Sequence, residues 1–512
     1  MMAGDAMTRV MAAVDGLLAH AETTLGLEPA DRAWARNRLL DVLGLDSYEP
    51  AAGPDLAEGG AVRSAAGPTD GSRAEQLMTA LADAAADAGL IGTEARGDLM
   101  DAAMGVLMPR PSALQTRFAA DEREQDGMAA MRRFYDVCVD GGYVRRAQLL
   151  RNPRFDSHGL TVTINLTKPE FKTMAKAAAG NAVGGGYPRC TICAENEGYA
   201  GRGKRTLRTI PMRLGGEDWF WQFSPYGYFD QHGICVNRRH IPMHVDRNTF
   251  AHLTEFTARF PGYFLGCNAA LPRIGGSVLA HDHYQGGGEV LPMFRAGAAG
   301  TPLRLASHPG AGVEVLDWPG TAMRVTATDR DELIEVCDTI RLAWEQYDDA
   351  AAGIASHDAD GNRQSAVSPT AMRTADGWTM TLILRNNAVN EEFPEGVFHA
   401  HPEYWPVKQE PIGLIEAMGL FILPGRLVRQ LGLIEDALAD GRDLPGEVAD
   451  FALEWQELTT MLDGGRDRGA IRAAVRDELG SVCHRILGNT AVFKRPGQTL
   501  GFLESIGFAS EG

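Results

Sequence analysis

The spacing of apolar positions divides the chain into helical ends and a strand-rich middle. Met7, Val10, Met11, Val14, Leu17 and Leu18 recur at three- and four-residue intervals and share one face of an amphipathic helix. The first 150 residues keep this alanine-rich, mostly helical texture, interrupted from Ala51 to Ser72 by a Gly-, Pro- and Asp-bearing stretch that reads as a long loop. At Leu160 the period changes. Leu160-Thr-Val-Thr-Ile-Asn-Leu166 alternates with period two, and Trp219 to Phe223 and Ile234 to Val236 are short aromatic or β-branched runs, so each predicts a strand. Thr249 to Phe260 predicts a helix, and a glycine-rich passage follows, ending in Gly286, Gly287 and Gly288. A polar insert from His357 to Gly377 precedes a further strand, Trp378 to Arg385. Past Pro406, Ile412, Ile415, Met418 and Leu420, then Phe451, Leu453, Leu458 and Leu462, return to helical spacing. Strands and helices are grouped rather than alternating, which predicts an α+β protein with an antiparallel core.

Composition and charge narrow the function. Apolar residues make up 45% and charged residues 23% of the 512, the mix of a folded protein rather than a disordered one. With 67 acidic against 49 basic residues, net charge -18, a general grip on nucleic acid or an anionic membrane is disfavoured, and an anionic ligand must find a local pocket. The best apolar run, Ile412 to Pro424, is too short for a bilayer and is interrupted by Glu416. The N-terminal pattern is a helix face rather than a signal-peptide core, so a cytoplasmic location is expected. Seven scattered cysteines do not form a disulfide framework, and only Cys190 and Cys193 sit at a spacing that suggests chemistry.

The strongest local signal is His281-Asp-His283-Tyr-Gln285-Gly-Gly. On a strand, residues two apart share a face, so two imidazoles and an amide line up. A single histidine there would merely occupy a polar strand edge; three polar groups beside glycines point to phosphate chemistry, with backbone N–H groups free to approach an anion. His283 is the candidate nucleophile, provided its other ring nitrogen is held as a donor. Cys190-Thr-Ile-Cys193 with downstream histidines suits a tetrahedral zinc site. A redox pair and no special role stay open, although the Ala-Glu-Asn-Glu-Gly that follows is unlike a redox helix start. His240 and His281 are the imidazole partners, leaving His283 to react. His399-Ala-His401 repeats the His-x-His spacing on what reads as an equivalent strand, a hint of internal duplication, with metal binding and a plain polar strand end both open.

These segments resemble a known family. Phe260-Pro-Gly-Tyr-Phe-Leu-Gly-Cys-Asn268-Ala-Ala-Leu-Pro272 and Gly275-Gly-Ser277-Val-Leu-Ala-His281-Asp-His283-Tyr-Gln285-Gly-Gly287 are similar to the UDP-glucose–hexose-1-phosphate uridylyltransferases, the galactose-1-phosphate uridylyltransferases of the second sequence type. Tyr187-Pro-Arg-Cys190, Glu195 to Tyr199, Gln222-Phe-Ser-Pro-Tyr226, Pro242-Met243, and Ile412 to Leu420 with Leu423-Pro424 extend the match over roughly residues 150 to 430. The resemblance implies two histidine-triad-like halves, residues 151–300 and 301–430, between helical regions 1–150 and 431–512. It implies ping-pong transfer from UDP-glucose to galactose 1-phosphate through a uridylyl-histidine at His283. Gln285 would bond a phosphoryl oxygen, Gly275, Gly276 and Ser277 would meet the α-phosphate, and Asn268, Gln222, Ser224 and Tyr226 would lie by the nucleotide, with Phe223 or Tyr226 as base platform. Lys408 and Glu416 would serve the sugar phosphate and the sugar hydroxyls. Zinc would take Cys190, Cys193, His240 and His281. A second metal such as iron would use His399 and His401, with Glu289 as a further candidate. Asp282 departs from the proline that the first type carries between its two histidines. A homodimer is the expected assembly. Two other classes remain: a nucleotide-sugar hydrolase or phosphorylase of the same superfamily, and a non-enzymatic zinc-stabilised binding module.

Overall fold

The computed structural model describes residues 2–50, 70–167, 170, 186–274 and 278–510. The expected loop therefore falls mostly outside the described residues, as do Gly275, Gly276 and Ser277. Seven helices open the chain: α1 (Met2–His20), α2 (Arg32–Leu43), α3 (Ser72–Asp87), α4 (Arg96–Leu107), α5 (Pro111–Glu124), α6 (Gly127–Asp140) and the single turn α7 (Arg146–Leu149). The predicted face of α1 is the buried one, with Val10, Val14, Leu17 and Leu18 sealed from solvent. No helix among the described residues is long and apolar enough to cross a membrane.

The middle of the chain supplies ten strands of an eleven-stranded antiparallel sheet, in two units of the same connectivity. The first contains β3 (Ile210–Leu214), β4 (Glu217–Phe223), β5 (Gly233–Asn237), helix α8 (Arg247–Arg259), β6 (Phe264–Gly266) and β7 (His283–Gly287), in spatial order β3-β4-β5-β7-β6. The second contains β8 (Leu303–Leu305), β9 (His308–Val315), β10 (Ala322–Ala327), helix α9 (Arg330–Trp344), β11 (Ser365–Thr374) and β12 (Gly377–Asn386), in order β8-β9-β10-β12-β11. Each unit is a three-stranded meander, a helix, and a hairpin whose second strand returns beside the third. They join where β6 pairs with β11, Gly266 opposite Thr370. Both helices begin on an aspartate cap: Asp246 accepts from Thr249 N–H at 3.0 Å and Asp329 from Glu332 N–H at 2.8 Å.

The two faces of this sheet are covered differently. Trp219, Trp221, Phe223, Tyr284 and Leu265 face α8 and share one core with α9 and the N-terminal helices. The other face, where Phe264, Ala322 and Ile383 lie, belongs to a second core. That core includes a three-stranded sheet, β1 (Arg154–Ser157) antiparallel to β2 (Leu160–Asn165) and β2 parallel to β13 (Leu420–Pro424). It also includes α10 (Leu414–Ala417), α11 (Arg426–Asp440), α12 (Ala452–Leu462) and α13 (Arg468–Thr490). Helix α14 (Pro496–Ser505) and β14 (Phe508–Ser510) close the chain, β14 pairing with β8.

Three readings change. The polar insert contains β11, ten residues paired between β6 and β12. Its Ser365, Ser368, Pro369 and Thr370 hid a strand that is buried through Ala371, with Ser368 and Thr370 on the face turned to the second layer and Ser365 on the opposite face. Ile412 to Leu420 is no continuous helix; one turn gives way to β13 because the chain must pair with β2. Gly286 and Gly287 are required by packing within the fold: a Cβ would strike the backbone of Phe264 and of Gln231 respectively.

Candidate active site

The candidate nucleophile His283 is placed by strand register. His283 opens β7 opposite Val236 and Gln285 stands opposite Ile234, so both look away from Tyr284, which stacks on Trp219 at 4.7 Å on the α8 side. His281 lies in a bend before the strand rather than on it. Its ring therefore turns to a different neighbourhood from that of His283.

That neighbourhood is a Cys/His cluster. The ligand atoms of Cys190, Cys193, His240 and His281 all lie within 4.8 Å of one another. Cys190 Sγ is 3.5 Å from Cys193 Sγ and 3.3 Å from His281 Nδ1, and Cys193 Sγ is 3.2 Å from His240 Nδ1 and 3.7 Å from His281 Nδ1. A tetrahedral zinc ion with ordinary bond lengths needs edges of about 3.8 Å between sulfurs and about 3.6 Å between sulfur and nitrogen. The donor set fits that metal. The tautomer fits too: His281 Nε2–H donates to Asn237 O at 2.7 Å, which leaves Nδ1 as the lone-pair donor. Asn196 ties the loop by donating to the carbonyls of Cys190 and Cys193 at 2.8 and 2.9 Å. The hydrogen bond from the Cys193 thiol holds Cys190 down to about 7, and Cys193 itself is pushed up to about 11 by sharing that proton. Asp282, where the first type has proline, is buried, and burial raises its carboxyl to about 6; the Asn237 amide approaches it at 3.5 Å.

His283 is buried, and burial lowers its basicity to about 4, so the ring is neutral at pH 7. Nδ1–H donates to His281 O at 2.8 Å. Nε2 is thereby left with its lone pair, the state a nucleophilic imidazole requires. One residue chain links the two sites: the cluster fixes His281, and the His281 carbonyl fixes the tautomer of His283.

Other residues gather on the same face. Gln222 is opposite Ile234, buried, with Oε1 lacking a partner. Ser224 N–H donates to His232 O at 2.9 Å. The β6 register carried on two residues brings Asn268 level with His283, and Asn268 Oδ1 accepts from Leu414 N–H at 2.8 Å. Phe223 is core, packed on Phe134 and Tyr135. Tyr226 sits on the wall of a cavity of about 500 Å³ between the N-terminal helices and residues 202–206, with the Arg145 guanidinium 5.3 Å from its ring centre.

Lys408 and Glu416 are brought together, but to each other. The buried Lys408 ammonium meets Glu416 Oε1 at 2.7 Å, Glu410 Oε2 at 2.8 Å and the Ile422 carbonyl at 3.1 Å. His399 and His401 lie in a loop, not on the expected strand. His399 Nδ1–H donates to Ala400 O; His401 Nε2–H donates to Val397 O and its Nδ1 accepts from the Asn489 amide at 3.0 Å. Glu289 is paired with Arg154. Neither histidine belongs to a group of three or more potential metal ligands among the described residues. Burial lowers the basicity of His399, and the guanidinium of Arg385 adds to that.

The sequence reading missed His232, Asn237 and Arg385. His232 was findable, since it precedes Ile234 by two residues and so shares its face; Asn237 acts through its backbone and Arg385 through burial, which composition does not reveal.

Residues 27–242 match the family model described as galactose-1-phosphate uridyl transferase, N-terminal domain. A galactose-1-phosphate uridylyltransferase of Bifidobacterium longum subsp. longum is 62% identical over 99% of both chains, and one of Halalkalibacterium halodurans is 36% identical over 91% of both. A crystal structure of yeast Ap4A phosphorylase Apa2 aligns over 61% of this chain and 85% of its own with a TM-score of 0.31 and 9% identity, too slight a likeness to argue from. With full-length relatives at these identities, the chain belongs to the galactose-1-phosphate uridylyltransferase family.

Proposed function

We propose that the chain transfers uridylyl from UDP-glucose to galactose 1-phosphate through a covalent intermediate on His283. The observation that carries the reading is the buried, neutral imidazole whose Nδ1–H is committed to the His281 carbonyl while Nε2 is free. Nε2 attacks the α-phosphorus, an N–P bond forms, the bond to glucose 1-phosphate breaks, and that product leaves. The cation left on the imidazole is shared through Nδ1–H with the His281 carbonyl. A phosphate oxygen of galactose 1-phosphate then attacks phosphorus, the N–P bond breaks, and UDP-galactose departs with the imidazole neutral again. Two inversions give net retention at phosphorus.

Gln285 is assigned to a phosphoryl oxygen, where a donor is worth most because charge develops there. Gly275, Gly276 and Ser277 are assigned to the α-phosphate, and Asn268, Gln222 and Ser224 to the nucleotide. Lys408 and Glu416 act on the sugar end by bracing the segment that carries Leu414, whose N–H holds Asn268. Zinc is the metal proposed for Cys190, Cys193, His240 and His281; bound there it supplies rigidity to His281 rather than a reacting centre. On the same resemblance the working unit is a cytoplasmic homodimer, and a monomer by sedimentation velocity would remove that part.

Intact-protein mass after brief exposure to UDP-glucose tests the reading. A gain of one uridylyl group that vanishes with formation of UDP-galactose when galactose 1-phosphate is added is expected. A gain that decays into water without an acceptor makes the protein a hydrolase. No gain and no product return it to a binding module.

A further inference from the structure

We propose that His232 is a positioning residue that decides which end of the Gln285 amide faces the phosphoryl group; this rests on the role given to Gln285 above. His232 stands two residues before Ile234, the residue directly opposite Gln285, so the two side chains are diagonal neighbours on one face, within reach of each other. The ring is buried and clamped, stacked on Tyr228 at 4.9 Å and tilted against Phe229 at 4.6 Å.

Its protonation pattern follows from its surroundings. Tyr228 N–H donates to Nδ1 at 3.4 Å, and burial holds the ring neutral, its basicity lowered to about 4. In a neutral ring whose Nδ1 accepts, the proton is on Nε2. Nε2 is buried with no geometrically complete hydrogen bond among the described residues, and the Gln285 side chain interacts with the ring. An Nε2–H donor is met by the oxygen end of the Gln285 amide, its diagonal neighbour across the strand pair. The NH₂ end of that amide is then turned outward, toward the row that holds His283. A glutamine is a donor at one end and an acceptor at the other; reversed, it would set an oxygen against an anionic phosphoryl oxygen. His232 removes that choice before substrate arrives, and the contact closes fully once the phosphoryl group draws the amide in.

A double-mutant cycle on the full-length, metal-loaded protein tests this, read as the single-turnover rate of uridylyl-enzyme formation from UDP-glucose. His232→Phe keeps the ring volume and loses the donor; a fall of about 10- to 100-fold at saturating UDP-glucose, with KM little changed, is expected. His232→Gln restores a donor and recovers most of the rate. In a Gln285→Ala background, which is itself slow, neither substitution has a further effect. If His232→Phe slows both backgrounds equally, His232 acts by packing and the assignment is overturned while the role of Gln285 stands. If Gln285→Ala is as fast as the parent enzyme, the role of Gln285 fails and this assignment fails with it. Should His232→Phe not fold, ring ¹⁵N shifts of the unsubstituted protein decide: an Nε2–H tautomer at His232 supports the assignment and an Nδ1–H tautomer overturns it.

Discussion

The two units of the large sheet share strand order, helix placement and even the aspartate cap, yet only one of them carries the residues proposed for the chemistry. In the first, the face turned from the helix presents Gln222, His232, Gln285 and His283. In the second, the same face of β11 and β12 presents Ser368, Thr370, Thr381, Ile383 and Arg385, with no histidine. The first unit also has what the second lacks, a loop pinned by Cys190, Cys193 and His240 that grips the residue just ahead of the strand. The second unit has instead a buried arginine, whose Nη2 donates to Ile412 O at 3.0 Å and whose Nε and Nη1 have no partner. Ile412 lies two residues from the Leu414 N–H that holds Asn268. On the proposed function one unit supplies the reacting face, while the other braces the segment bonded to Asn268. The shared topology does not by itself distinguish the units; the anchored strand end does.

The sharpest way to break this contrast is to make equivalent substitutions in both units. His283→Asn should abolish uridylyl-enzyme formation, a loss on the order of 10⁴-fold or more, with the unfolding midpoint nearly unchanged, measured by intact mass and thermal melting. Thr381→Val, in the second unit, should leave the rate within about twofold. It should raise stability by about 1 kcal/mol, because the buried Thr381 hydroxyl has no partner to lose. A large rate loss from Thr381→Val would mean that the second unit also touches the reacting groups.

Next in size is the anchor. Cys193→Ser should release the bound metal, measured by elemental analysis, and lower the unfolding midpoint by more than about 5 °C. The rate should fall with it, since His281 then no longer holds His283. The buried bracing in the second layer comes after. Lys408→Met strands Glu410 and Glu416 in the interior and should cost about 3–5 kcal/mol in urea unfolding, part of it recovered by adding Glu416→Gln.

The same contrast explains what was legible in the sequence. The period-two and aromatic runs at 160–166, 219–223, 234–236 and 378–385 all became strands, because each buries an apolar face that the alternation records. The metal cluster was readable because thiolates three apart and histidines on flanking turns have few other uses. Strand β11 was not readable, since Ser365, Ser368 and Thr370 are buried under layers on both faces that no local pattern announces. Lys408 and Glu416 were read as substrate contacts from their place in a segment; their mutual pairing depends on a fold that brings Ile422 back beside them. His399 and His401 share a spacing with His281 and His283, but spacing alone carries no chemistry: His283 is held on a strand and His281 beside the cysteine pair, whereas both members of the other pair lie in a loop.

The smallest expected effect is a pH dependence centred on two histidines of the first unit. His283 sits at about 4 in the folded protein against about 6.5 for an exposed imidazole, burial being the cause. At pH 5.5 it is still almost wholly neutral, so single-turnover uridylyl formation should stay within about twofold of its pH 7.5 rate. An imidazole of ordinary basicity would lose about 10-fold. Stability moves the other way. Because the folded value is depressed, the unfolded chain takes up the proton first as pH falls, and the stability present above pH 6.5 drains away between about 6.5 and 4. His232, also at about 4, adds to the same window. Each contributes a slope of up to about 1.4 kcal/mol per pH unit, so urea unfolding at pH 5 against pH 7 should show the loss, and His283→Asn should reduce it. A rate that drops about 10-fold at pH 5.5 while stability holds would place His283 in water in the working enzyme, and the contrast between a shielded reacting unit and a bracing one would lose its basis.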